Sequence, residues 1–457
     1  MTAASAATGA PEATKPRSVF AVRDFRLLWF GEAISALGDQ FAMIALPWLA
    51  LLLTGSALAL GTVLAVMAVP RAILMIVGGA YVDRLSPRRV MLISNAVRFV
   101  AVTLLAVIVL AGAAQLWMLY IFALVFGIAD AFFYPAQTAI TPELVEGPQL
   151  QQANGITQGT TQFTVLIGPA IAGVIIAALG ATSARASSGQ TGVGLALLVD
   201  GLTFIASLLT LWLIHPRKHA STEQGSVVAQ IREGIGFVLK TPVLPIVMIM
   251  SMAVNFLITG PIEVGLPLLA FSRLPEGAAA FGLILAAFGG GSLLGMIGAT
   301  VLPKPSPARF GTVTLGLMGV AGLAFAALAF ITTTLGAIVV AAIVGAAIGY
   351  TNVSFITWVQ LRIPRQLMGR VMSFLMFGSL ALVPISIAIA GVLVEINLDG
   401  VLLIAGLGMA LLAVATLFSA KVRHMGLMPP IDDGEEASAT AADGPNAATA
   451  AEAIPAA

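Results

Sequence analysis

Residues 58–89 read LALGTVLAVMAVPRAILMIVGGAYVDRLSPRR, and they are the most informative part of the sequence for predicting the fold. Its first part, 58–81, is apolar with Arg71 as its single charge. It is long enough for a helix across the hydrocarbon core of a bilayer, which needs about 20 residues. The part that follows carries Asp83 and three arginines. An apolar run that ends in a basic loop is typical of a transmembrane helix whose end lies in the cytoplasm.

The same pattern of a long apolar run and a short polar connection repeats along the chain. Hydrophobic residues make up 59% of the sequence and charged residues only 9%, whereas soluble domains carry roughly 25% charged residues. A surface of this composition is compatible with lipid but not with water. We therefore predict an all-α membrane protein with twelve transmembrane helices, at about residues 27–53, 58–81, 90–112, 116–140, 153–179, 193–214, 243–271, 279–302, 310–331, 335–361, 371–394 and 400–420.

The distribution of basic residues predicts how these helices are oriented. With both termini in the cytoplasm, 18 of the 22 Lys and Arg residues fall in the N-terminal arm, the cytoplasmic loops or the C-terminal tail. This excess is what the positive-inside rule expects. The first apolar run is longer than that of a signal peptide, so we expect an uncleaved first helix. The prediction is a multi-pass protein in the lipid bilayer of the bacterial inner membrane.

The longest polar connection between apolar runs divides the chain into two halves of six helices. Both halves have the same orientation, which suits a parallel repeat with the substrate between the halves near mid-membrane. The predicted segments are a cytoplasmic arm at 1–26, a six-helix bundle at 27–214, a cytoplasmic linker with an amphipathic helix at 215–242, a second six-helix bundle at 243–420 and a disordered tail at 421–457.

Composition also excludes several classes of site. The chain has no cysteine, and its three histidines lie in polar, loop-like stretches, so we expect no metal site and no cofactor. The net charge is +1 and no basic stripe could follow a nucleic acid backbone, so we expect no nucleic acid partner.

The loop after the second predicted helix carries a recognisable motif. It contains Gly79, Asp83, Arg84, Arg88 and Arg89 in the pattern G-x-x-x-D-R-x-x-x-R-R. This pattern resembles the loop signature of the major facilitator superfamily. The resemblance implies a fold of two six-helix bundles, in which this loop holds the cytoplasmic side closed in one state of the transport cycle. The arginines could pair with carboxylates or with helix C-terminal ends.

A second motif lies in the fifth predicted helix, where Gly168, Pro169 and Gly173 resemble the G-P-x-x-G-G element of antiporter branches, with Ala172 in place of one glycine. Other stretches are similar to the drug-antiporter branch that includes macrolide-efflux and enterobactin-exporter-like proteins. They read FRLLWFGEAISALGDQF, ALPWLALLLTGSALALG, FFYPAQTAITPELV and QLRIPRQLMGRVMSF. The resemblance implies export of a hydrophobic or amphipathic compound, usually against the entry of protons.

Ionisable side chains inside the predicted helices are candidate functional residues, because a charge at mid-membrane is costly. Asp39 and Arg71 lie at matching depth, roughly 18 Å from the cytoplasmic edge at 1.5 Å per residue, and could form a pair. Asp130 and Arg98 form a second possible pair. We assign Asp39, Arg71 and Asp130 to transport and proton coupling. The alternative is that these are static ion pairs that hold the bundle together.

In the second half, Glu263 is the acid well inside a predicted helix, between Pro261 and Pro267. Two prolines free backbone groups and favour a kink towards a cavity, so we assign Glu263 to proton coupling as well. The alternative is an interfacial glutamate that reaches water. We interpret Asp200 as a structural hydrogen-bonding residue and Glu32 as a side chain that extends to the cytoplasmic interface.

The predicted function is a monomeric secondary active transporter that exports hydrophobic or amphipathic small molecules by alternating access, in exchange for protons. A uniporter or an importer of a metabolite or lysolipid is the alternative, because one fold serves all of these activities. An integral-membrane enzyme is a remote alternative. Such enzymes need a cluster of acids or histidines at the membrane surface, and the sequence carries none outside the acidic tail.

Overall fold

The computed structural model describes residues 18–181, 188–215, 244–362, 382–423 and 425–427. These residues are almost entirely helical, and no strand occurs among them. In the first half, α1 is Arg23–Thr54, α2 is Ala57–Leu85, α3 is Pro87–Leu110, α4 is Leu116–Leu144, α5 is Gly147–Ala181 and α6 is Ser188–Leu213. A short 3-10 turn, Val19–Ala21, precedes α1.

The second half begins with α7, which consists of Leu244–Gly260, a π-helical turn at Pro261–Gly265 and Leu266–Arg273. The helices that follow are α8 at Ala278–Val301, α9 at Phe310–Ala327, α10 at Thr334–Gln360, α11 at Val383–Ile396 and α12 at Leu398–Leu417. A 3-10 turn, Leu328–Phe330, extends α9, and the short segments Ala420–Arg423 and Met425–Leu427 follow α12.

Eleven of the helices among the described residues are long and apolar enough to cross a membrane. The exception is α11, which has 14 residues. Its predicted span was 371–394, of which 371–381 lies outside the described residues. With α11, the described residues contain twelve apolar helices, and the predicted fold class is confirmed. Most of the predicted linker at 215–242 and of the predicted tail at 421–457 also lies outside the described residues.

Local sequence explains where several helices begin and end. Gly55 has a φ of 64°, which a glycine adopts readily, and it ends α1. Ser56 then caps α2, because its hydroxyl accepts a hydrogen bond from the Ala59 N–H. Thr333 and Asn397 cap α10 and α12 in the same way. These caps allow short connections between long helices.

The helices of each half pack mainly with one another. In the first half α2 packs against α4, and α3 packs against α6; in the second half α8 packs against α10, and α9 packs against α12 in the corresponding way. The two halves meet where α2 contacts α11 and where α5 contacts α8. We call the helices α1–α6 the N-terminal half and α7–α12 the C-terminal half. The repeated pairing is what a parallel 6+6 repeat requires.

Glycines bring the two halves into backbone contact. A Cβ atom on Gly61 of α2 would lie 2.6 Å from the Cα of Gly391 in α11. A Cβ atom on Gly282 of α8 would lie 2.2 Å from the carbonyl oxygen of Pro169 and 3.0 Å from the Cα of Gly173, both in α5. Small residues of this kind let membrane helices approach closely. Both contacts lie towards the end of the bundle where α1 ends and α2 begins, which we call the outer end after the predicted topology.

Candidate functional site

The N-terminal half contains a buried ion pair between Arg98 of α3 and Asp130 of α4. Only 1% of Arg98 and 5% of Asp130 is exposed. Arg98 Cζ also lies 4.1 Å from the centre of the Phe133 ring, which adds a cation–π contact. Arg71 of α2 approaches the same carboxylate, with 3.8 Å between Arg71 Nη1 and Asp130 Oδ2. The proposed pairing of Asp130 with Arg98 is observed, whereas Arg71 pairs with Asp130 rather than with Asp39.

Glu32 of α1 is held inside the same half by hydrogen bonds. Gln137 Nε2 donates to one carboxylate oxygen of Glu32 at 2.7 Å, and Ser207 Oγ donates to the other at 2.9 Å. Asn95 Nδ2 in turn donates to Ser207 Oγ at 2.8 Å. The interpretation of Glu32 as a side chain that extends to the interface was therefore wrong. Sequence alone could not reveal this network, because its donors come from three other helices.

Two further carboxyl groups of this half have unmet hydrogen-bonding capacity. Asp200 of α6 is fully buried, and neither of its carboxylate oxygens has a hydrogen-bond partner. Asp39 Oδ1 is also buried without a partner. A Cβ atom on Gly38 would lie 2.8 Å from Asp200 Oδ1, so Asp200 packs against the α1 backbone beside Asp39. The two carboxyls interact electrostatically. The interpretation of Asp200 as a hydrogen-bonding residue was wrong.

Glu263 lies in the C-terminal half, in the π-helical turn of α7. Such turns occur often at functional sites, and here the prolines at 261 and 267 flank the glutamate. The side chain is half-buried. Arg71 of the N-terminal half is the charged residue that acts on Glu263 electrostatically. Arg71 also contacts Asp130, so it interacts with a carboxylate of its own half at short range and with one of the other half through the longer-range electrostatic field.

At the outer end, polar and aromatic contacts join the two halves. Glu395 of α11 accepts hydrogen bonds from Ser56 Oγ and from the backbone N–H of Leu58, both at 3.0 Å. The rings of Trp48 in α1 and Phe271 in α7 meet edge to face, with their centres 5.4 Å apart. With the glycine contacts described above, these interactions close the outer end of the interface.

The structure describes the side chains of two residues of the loop motif after α2, Arg88 and Arg89. Arg88 donates from Nε to the Leu211 carbonyl at 2.8 Å and from Nη2 to the Trp212 carbonyl at 2.5 Å, and so it caps the C-terminal end of α6. Arg89 is exposed. Gly79 and the side chains of Asp83 and Arg84 lie outside the part that the structure describes. The gating role of the loop therefore stays a prediction.

Both glycines of the α5 motif, Gly168 and Gly173, lie where α5 packs closely against another helix. A Cβ atom on Gly168 would lie 2.5 Å from the Cγ atom of Gln40, so this glycine lets α5 approach α1. Gly173 and Pro169 contact Gly282 of α8, as described above. The motif thus lies where α5 packs against one helix of its own half and one helix of the other half.

The C-terminal half contains a cavity of about 560 Å³ between α7, α9, α10 and α12. Its volume is in the range of sites that hold drug-sized molecules, roughly 300–1,000 Å³. Among the described residues that line it, none has an ionisable side chain. The cavity and the carboxyl-rich cluster of the N-terminal half are therefore separate features of the molecule.

This architecture defines a polytopic membrane protein of two six-helix halves with buried charges and a drug-sized cavity. The family model described as Major Facilitator Superfamily matches residues 28–383, which is more than half of the chain. The chain belongs to the major facilitator superfamily, and the resemblance stated from its motifs is confirmed. It is a multi-pass membrane transporter of that superfamily.

Two relatives place it near drug exporters. The multidrug efflux pump Tap of Mycolicibacterium fortuitum is 29% identical over 416 residues, which cover 88% of this chain and 97% of the relative. Macrolide efflux protein A of Streptococcus pyogenes is 26% identical over 151 residues, which cover 33% of this chain and 37% of the relative. The predicted similarity to the drug-antiporter branch is confirmed.

Solved structures support the fold. The crystal structure of the nucleoside transporter NupG aligns with a TM-score of 0.67 at 16% identity, and the alignment covers 87% of this chain and 100% of that one. At this identity the likeness establishes the fold alone.

Proposed function

We propose that this protein is a proton-coupled exporter of hydrophobic or amphipathic small molecules, and that it works by alternating access. In this proposal it is a monomer in the bacterial inner membrane with both termini in the cytoplasm, and it has no enzymatic activity. The names of the drug-efflux relatives support the substrate class. The closed outer end supports a state in which substrate enters from the opposite side.

The observation that carries the proposal is an imbalance of charge inside the N-terminal half. Its cluster of buried and half-buried ionisable side chains contains four carboxyl groups and two guanidinium groups, and the latter can neutralise two carboxylates at most. The members are Glu32, Asp39, Asp130, Asp200, Arg71 and Arg98.

Two of the carboxyls are poorly stabilised as anions. Asp130 forms ion pairs with both Arg71 and Arg98, and Glu32 accepts two hydrogen bonds. By contrast, Asp39 Oδ1 and both carboxylate oxygens of Asp200 are buried without a hydrogen-bond donor. A carboxylate without a partner in a membrane interior carries a free-energy cost that binding of a proton removes. Asp39 and Asp200 are therefore our proposed proton-binding residues, and Asp130 with Arg71 is the ion pair whose strength responds to them.

Arg71 gives the proton site a connection to the other half. It contacts Asp130 and acts electrostatically on Glu263. A change in the charge of the cluster therefore changes how strongly Arg71 is held by each half. This is the kind of differential interaction that a ligand needs in order to shift a conformational equilibrium.

The proposal is tested with the full chain in proteoliposomes. Ethidium is a suitable substrate probe, because its permanent charge prevents passive trapping in an acidic lumen. An acidic lumen should drive ethidium uptake in exchange for outward proton flow, and protein-free liposomes provide the baseline. Ethidium exchange that is unaffected by the pH gradient would instead support the uniporter. The absence of any protein-dependent ethidium movement, with a panel of other compounds also inactive, would contradict the proposal.

A further inference from the structure

Among the described residues, the cavity is lined only by the C-terminal half and by the short segments that follow α12. Its lining includes Met250 and Thr259 of α7, Met318 of α9, Phe355 of α10 and Met409 of α12. Among the described residues, none of the N-terminal half lines it. A ligand could occupy it without contact with the carboxyl cluster of the N-terminal half.

One edge of this cavity is polar. Ser251, Asn255 and Thr259 follow one another at four-residue spacing, so they form a stripe along one side of α7. Asn255 Nδ2 donates to the Ser251 carbonyl at 3.0 Å. Among the described residues no group donates to its amide oxygen, which can accept a hydrogen bond from a ligand.

The other walls are apolar and adaptable. Met318, Met409 and Met425 line the cavity together with Phe355 and Ile348. Methionine side chains are flexible and polarisable, and so they accommodate ligands of different shapes. Aromatic and thioether groups together favour a ligand with a ring system.

Among the described residues that line it, the cavity offers no counter-charge. The next residue of the α7 stripe is Glu263, one turn beyond Thr259, but Glu263 does not line the cavity, and Arg71 already acts on it. A charged ligand group placed among the lining residues would lack a partner, and burial of an unpaired charge is strongly unfavourable.

We propose that this cavity binds uncharged amphipathic molecules, with the ring system against the methionines and the hydrogen-bonding groups along the stripe of Ser251, Asn255 and Thr259. This inference rests on the proposed export function, since it names the class of compound that the exporter would take from this site.

Binding tests this directly and needs no proton gradient. The full-length protein in lipid nanodiscs is dialysed against radiolabelled chloramphenicol, an uncharged drug-sized amphiphile. We expect saturable binding that tetraphenylphosphonium, a permanent cation, does not displace. Ser251→Trp places a bulky side chain at the polar edge of the cavity and should weaken chloramphenicol binding about tenfold or more, because a ligand there would be overpacked against the indole.

The matched control is Ile249→Trp, which adds the same side chain two residues away on α7 at a position that is 64% exposed. It should bind chloramphenicol like the wild type. Asn255→Leu keeps the branched shape of the side chain and removes the amide, and it should weaken binding about threefold to tenfold through loss of a hydrogen bond.

Equal chloramphenicol binding by Ser251→Trp and Ile249→Trp would overturn the site. Full displacement of chloramphenicol by tetraphenylphosphonium would overturn the assignment of uncharged ligands. Neither result depends on proton-driven transport, so failure of this inference and failure of the proposed function are distinguishable.

Discussion

Glu395 near the end of α11 caps the first turn of α2, because its carboxylate accepts hydrogen bonds from Ser56 Oγ and the Leu58 N–H at 3.0 Å each. The carboxylate belongs to one half and the helix to the other. A negative charge at a helix N-terminus is stabilising. Closure of the outer end therefore depends on this cap as well as on the contact between Gly61 and Gly391.

Replacement of Glu395 by glutamine should favour opening of the outer end. The amide is neutral, so the favourable interaction with the α2 N-terminus is lost, which shifts the ratio of open to closed states about two- to fivefold. Double electron–electron resonance between spin labels at the outer ends of α2 and α11 measures this ratio.

The control for that experiment is Asp399→Asn. Asp399 is at the same end of the protein, but it pairs with Arg273 within the C-terminal half at 2.6 Å. Its loss should leave the distances between the halves unchanged. Identical distance distributions for Glu395→Gln and the wild type would show that the cap does not hold the outer end.

Asp200→Asn separates a proton-binding role from a structural one. Because neither carboxylate oxygen has a hydrogen-bond partner, an uncharged amide of equal size loses no hydrogen bond, and thermal stability should not fall. Proton-driven uptake of ethidium should nevertheless drop sharply in proteoliposomes. An unfolded variant, or a stable one with wild-type uptake, would argue against our assignment of Asp200.

Glu263→Gln tests the acid of the C-terminal half. If Glu263 serves as a second protonatable group or as a partner for cationic substrates, its neutral variant should show a weaker pH dependence of transport or a reduced preference for cations over uncharged compounds. Transport rates are measured across pH for ethidium and for chloramphenicol. Profiles that superimpose on those of the wild type would favour a glutamate that only reaches water.

The sequence predicted the helices well because each span carries its own signal. An apolar run of about 20 residues is readable without any partner, and the basic loops report orientation. The loop motif around Asp83 and the glycines of α5 were enough to identify the superfamily. The predicted first span, 27–53, differs little from α1, Arg23–Thr54.

The arrangement of the buried charges was harder to predict, because it depends on which helix faces meet. Depth along a helix placed Arg71 level with Asp39, but packing brings it to Asp130 instead. The sequence shows that Asp200 is an acid inside a predicted transmembrane helix. Its position against Gly38, however, follows from the contact of α6 with α1. Glu395 lies near a helix end, where an acid is common, and its partner comes from the other half.

The most direct measurement of proton coupling is proton release on substrate binding, without any gradient. Tetraphenylphosphonium is added to the full-length protein in weakly buffered detergent solution with a pH dye, and its binding is measured in parallel. The wild type should release protons in proportion to bound substrate, and the double variant Asp39→Asn with Asp200→Asn should bind substrate and release none. Substrate binding by the wild type without proton release, or undiminished release by the double variant, would contradict the account.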